Sequence, residues 1–167
     1  MNETLFWEII EKTHHESNGD MEIKCEKLKK AIEELTPQAA EEFSNLFDHY
    51  MDSAFTWELW GAAYVINGGC SDDTFSDFRA SLISRGKQAY EKALENPDSL
   101  ADEAADTALV ENTWFFEGIE YAVTDAVEMV IGELPPRNNP YPSDPTGSEW
   151  DEDEVYNLYP NLSRQFG

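Results

Sequence analysis

The chain has 167 residues, with 11 Lys and Arg against 35 Asp and Glu, so its formal net charge is −24. This length points to one domain able to bury roughly 70% of its unfolded surface. Five Trp, seven Tyr and nine Phe supply a core without disulfides. The charge repels phosphate backbones and anionic lipid, which argues against nucleic-acid and membrane binding; it suits solubility and the capture of a basic protein partner.

The opening MNETLFWEIIEKTHH lacks the basic flank and apolar stretch of a signal peptide, and no apolar run approaches the ~20 residues of a membrane span. A cytoplasmic location is the expectation. Cys25 and Cys70 match no metal-ligand or redox spacing and read as reduced thiols.

Leu5, Phe6, Ile9 and Ile10 predict a first helix over about Glu3 to His15, ended by the turn Ser17-Asn18-Gly19-Asp20. A second helix carries Cys25, Leu28, Ile32 and Leu35 inward, with Lys24, Lys27, Lys29 and Lys30 outside. Thr36-Pro37 starts a third, since threonine caps and proline at the first helical position loses no needed N–H. Ala40, Phe43, Leu46, Phe47, Tyr50, Met51 and Ala54 form its apolar side. His49 there reads as packing and not as a ligand.

From Thr56 the chain is apolar nearly all round, interrupted only by Glu58 and Asn67. A helix of that kind is buried, so this one is expected to be central. Gly61, Ala62 and Ala63 would let another backbone approach it closely. Gly68-Gly69 ends the helix, and Ser71 or Asp72 caps the next, whose inner stripe is Phe75, Phe78, Leu82 and Ile83. Gln88 to Glu95 adds a short helix. Asp98 to Val110 reads as a short helix or ordered loop, and Trp114 to Ile131 as a further helix from the spacing of Phe116, Ile119, Val123, Val127 and Val130.

Five prolines rule out regular structure over LPPRNNPYPSDPTG. Tyr141, Trp150, Tyr156, Leu158, Tyr159 and Leu162 are apolar anchors by which this arm would lie along the body. A short helix is expected over roughly Asp151 to Tyr159. The predicted fold is an all-α, single-domain bundle of about six to eight helices around a buried central helix. Residues 1–133 form the helical domain, and residues 134–167 form a Pro-rich arm and short C-terminal helix packed on it.

One constellation could carry chemistry, at the loop-to-helix junction from Gly68 to Arg79: Cys70, Asp72, Asp73 and Arg79. An acidic pair there could bind a divalent cation or act as acid and base, and a cysteine near a helix N-terminus could have a lowered pKa. The plainer reading has Ser-Asp-Asp capping the helix, the cysteine filling space and Arg79 pairing with a carboxylate. Trp57, Trp60 and Tyr64 are candidates to line a pocket, with core packing as the plainer role. His14 and His15 point about 100° apart on a helix and share no ligand site unaided. No P-loop, dinucleotide-binding glycine motif, nucleophile elbow, HExxH or EF-hand loop is present, and no cofactor is expected.

FWEIIEKT, FTWELWGAAYVINGGCSDDTFSDFRASLISRGKQAYEKALENPDSLAD, ELPPRNNPYP and the late GSEWDEDE…YPNL together resemble the bacterial domain-of-unknown-function family DUF4240, from residue 5 to about 162. The resemblance implies a small, soluble, mostly helical domain and carries over no catalytic residue. Ser81 stands where it implies tryptophan in many relatives; if that tryptophan lined a pocket, the pocket here would be larger or more polar. Two functions stay open: an acidic interaction module that regulates or inhibits a basic bacterial protein, or a small metal- or metabolite-dependent enzyme with its site at the Gly68–Arg79 junction.

Overall fold

The computed structural model describes residues 1–103 and 113–167. Among them the chain is all-α, a single domain with eight helices of at least seven residues and no strand. Six come first: α1 (Glu3–Ser17), α2 (Met21–Glu33), α3 (Pro37–Ser53), α4 (Trp57–Asn67), α5 (Asp72–Ile83) and α6 (Lys87–Glu95). A 3-10 helix, Pro97–Asp102, comes next, and α7 (Gly118–Ile131), α8 (Val155–Leu158) and α9 (Pro160–Phe166) complete the described elements. The Asp98–Val110 expectation is met in its first part by the 3-10 helix, and residues 104–112 lie outside the described residues.

Local chemistry sets the boundaries. Asn2, Asp20, Thr36, Thr56 and Ser71 each cap a helix by accepting a backbone N–H three positions on. Asn18 and Gly68 end α1 and α4 in the left-handed conformation, which asparagine and glycine tolerate best. The last helix of the body starts at Gly118 instead of Trp114. The turn before it lets Phe115 pack on Phe78 at 5.1 Å and folds Phe116 back over Gly118, where a Cβ would collide with the ring.

The core is one cluster drawn from α1 to α7 and the arm, including Phe6, Phe43, Leu59, Phe75, Ile119 and Val127. Each such side chain contributes about 1.5–3 kcal/mol by leaving water. Helices α2 and α7 lie side by side and α3 packs on α7, so these three form one wall. Two assignments, one inward and one outward, are corrected. Trp7 is buried where Leu5, 40% exposed, was expected. Lys24 is not outside but fully buried, its Nζ donating to Ser84 O at 3.3 Å and Ser84 Oγ at 3.2 Å.

Helix α4 is covered on both sides. Leu59, Ala62, Ala63 and Val65 face the body and are fully buried. On the other side the arm crosses it: Trp150 Nε1 donates to Trp57 O at 2.6 Å, and Tyr159 Oη donates to Glu58 O. Thr146 forms an isolated bridge with Thr56, and the proline-rich stretch makes no other regular pairing. Of the expected anchors, Trp150, Tyr159 and Leu162 pack inward, whereas Tyr141, Tyr156 and Leu158 stay exposed; Val155 anchors instead. The short helix expected over Asp151 to Tyr159 is α8, and Pro160 starts α9 directly after it.

Candidate functional site

Helices α3, α5 and α7 enclose a cavity of about 370 Å³, roofed by the arm at Arg137, Tyr141 and Pro142. Asp72, Asp73 and Arg79 all line it. They come together because α5 starts at Asp72 and places positions 72, 76 and 79 on one face. Ser71 alone performs the capping, accepting from Thr74 N at 3.2 Å. Both neighbouring carboxylates are exposed and make no ion pair among the described residues.

Arg79 is 8% exposed. Its Nη1 donates to Met51 O at 2.8 Å, a carbonyl in the last turn of α3 that no helical N–H reaches. Its guanidinium lies 4.7 Å from the Phe55 ring centre and 4.8 Å from that of Phe75. The α3 dipole and both rings offset part of the cost of burying this charge. No carboxylate lies within 4.0 Å of it among the described residues, and its buried Nε has no hydrogen-bond partner. Burial pulls its pKa down, while the fields of Glu120, Asp72 and Asp52 oppose that shift from a distance.

Three further acids come from other helices. Asp48 and Asp52 project from α3, and Glu120 from α7 accepts from Ser76 Oγ at 2.5 Å. Arg137 straps the first two: its Nη2 reaches Asp52 at 2.5 Å and its Nη1 reaches Asp48 at 3.4 Å. Burial nevertheless raises the Asp48 pKa, against the pull of Arg137 and with a push from Asp52 and Glu120.

The other candidates lie elsewhere. Cys70 does not line this cavity; burial pushes its thiol up to about 12, the reverse of an activated nucleophile. Trp60 stacks on Trp57 and Phe75 and donates to Cys70 O, and Trp57 and Tyr64 contact Trp150, so all three support the arm. Ser81 is buried against Phe116 O and lines no part of the cavity. Burial lowers His14 to about 4. Among the described residues no three His, Cys, Asp or Glu are grouped to hold a metal ion. None is a helix long and apolar enough to cross a membrane.

Sequence reasoning missed Asp48, Asp52, Glu120, Arg137 and Tyr141, because each reaches the cavity from a helix or arm remote in sequence. One signal was visible for Arg137, the lone basic residue in LPPRNNPYPSDPTG.

No curated protein and no solved structure matches the chain. A family model described as "Protein of unknown function (DUF4240)" matches residues 1–129, a span that holds Asp48, Asp52, Asp72, Asp73, Arg79 and Glu120 and stops before Arg137. The chain belongs to that family.

Proposed function

We propose that this protein is a binding domain for a small polar molecule, with its site in the cavity between α3, α5 and α7. The observation that carries this reading is Arg79. A buried guanidinium costs several kcal/mol unless it is paired, and one that lines a cavity with no carboxylate within 4.0 Å among the described residues is suited to take up an anionic group. The cavity has the volume of a small-molecule site, and the unpaired Asp72 and Asp73 lie on its wall. Cys70 lies outside the cavity and burial pushes its thiol up to about 12, so it offers no nucleophile there.

The test is a thermal-shift and amide-NMR screen against amino acids, amines, nucleotides, organic acids and divalent metals. Native-state binding raises the melting temperature by mass action. A hit should shift amides of residues 72–79 and 120–124 and lose its effect in Arg79→Met. If hits bind equally well to Arg79→Met, or no compound shifts those amides, the reading fails.

The net charge of −24 supports a second reading, an acidic interaction module for a basic protein partner in the cytoplasm. Affinity capture at two salt concentrations tests it. A stoichiometric basic partner released by salt supports it, and none at low salt counts against it.

A further inference from the structure

Beside the cavity lies a second hollow of about 370 Å³, which shares Asp73, Ser76, Glu120 and Thr124 with it as walls. Asp77, Glu117 and Tyr121 complete it. Its four carboxylates, Asp73, Asp77, Glu117 and Glu120, have no basic residue among them. The guanidinium of Arg79 lines only the first hollow, and beyond Ser76 the charged groups of the lining are all carboxylates.

On the binding reading above, we infer that the ligand is an amino acid with a cationic side chain, its carboxylate on Arg79 and its side-chain cation among Asp73, Asp77, Glu117 and Glu120. A simple anion would satisfy Arg79 and be repelled by the acids. A simple polyamine would satisfy the acids and be repelled by Arg79. A zwitterion with separated charges meets both conditions, and Asp72, close enough to act on Arg79, is placed for the α-ammonium. Burial, then Glu120, Glu117 and Asp73, push Asp77 up to about 6, a field that a bound cation would relieve. Ser76 and Thr124 supply hydroxyls on the wall that the two hollows share.

Calorimetric titration of the full chain with L-arginine, L-lysine, agmatine and L-citrulline tests this. Agmatine keeps the terminal cation without the carboxylate, and citrulline keeps the carboxylate without the cation. Arginine or lysine should bind at least about tenfold tighter than either, a difference of ~1.4 kcal/mol. Arg79→Met should abolish the preference over agmatine, and Asp77→Asn should narrow the preference over citrulline. Should Arg79→Met not fold, Arg79→Lys, which keeps the charge without the planar fork, should still reduce the preference over agmatine. Agmatine or citrulline binding as tightly as arginine overturns the ligand class. So does the absence of heat with all four compounds. In either case the binding reading stands if another screened compound shifts the cavity amides in an Arg79-dependent way, and it falls with the inference if none does.

Discussion

Arg137 in the arm donates to Asp52 on α3 at 2.5 Å, across 85 positions of sequence. The same guanidinium pairs with Asp48 and lies 3.9 Å from the Tyr141 ring centre, so one side chain joins the arm to the body at the roof of the cavity. Burial works to lower its pKa, but the Asp52 bond and the Asp48 field win, and the charge is held more firmly than usual. Arg137→Met should cost about 1.5–3 kcal/mol, the range for hydrogen bonds to charged groups. Hydrogen exchange should quicken over residues 137–146 while core amides keep their protection. Unchanged exchange there would show that the pair does not hold the arm.

Gly61 lies where Tyr159 and Trp150 cross α4. A Cβ there would meet Tyr159 Oη at 2.5 Å and Trp150 Nε1 at 2.9 Å. In an exposed helix Gly→Ala stabilises by about 1 kcal/mol. Here the sign should reverse, with Gly61→Ala losing about 1–3 kcal/mol from overpacking. Urea denaturation measures it, and a stabilised variant would mean that the arm is not seated on α4.

Lys24 is buried with hydrogen bonds to Ser84 and no carboxylate partner among the described residues. Burial first, then Arg85, lowers its pKa to about 8, below the ordinary value near 10.4. Between these values the unfolded chain binds more protons than the folded one, so this group makes stability rise with pH from about 8 to 10. Below pH 8 the cost is fully present. Lys24→Met should be at least as stable as the parent at pH 7. The difference between them should change by roughly 2 kcal/mol between pH 8 and 10, as read by unfolding at each pH. A pH-independent difference would show that Lys24 is not buried as a charge.

Asp77 gives the opposite slope. Its folded pKa of about 6 lies above the usual 3.9, so the folded chain holds the extra proton and stability falls as pH rises from about 4 to 6. Asp77→Asn should therefore raise the melting temperature at pH 7 and leave it unchanged near pH 4. A melting temperature lowered at pH 7 would mean that Asp77 already has a cationic partner.

Much of the fold was legible because it is written locally. Thr36-Pro37, Thr56, Gly68 and Ser71 mark helix ends with side chains that act within three residues, and structure and sequence agree there. The misplaced residues depend on distant partners. Lys24 shares the buried face of Leu28 and Ile32 at four-residue spacing, but its charge argues for solvent, and only Ser84, 60 positions on, supplies the two acceptors that let it sit inward. The cavity divides the same way. Asp72, Asp73 and Arg79 belong to one short segment and could be grouped from sequence. Asp48, Asp52, Glu120 and Arg137 are joined to them only by the packing of α3, α5, α7 and the arm.

The central claim is that Arg79 receives a ligand's anionic group, and its own Nε–H is the most direct reporter. In the ¹⁵N-labelled chain, titration with the unlabelled screening compounds, L-arginine first, should move the Arg79 Nε–H signal saturably, with the amides of residues 72–79 and 120–124. A signal unmoved by every compound, in a chain that stays folded, would contradict the account.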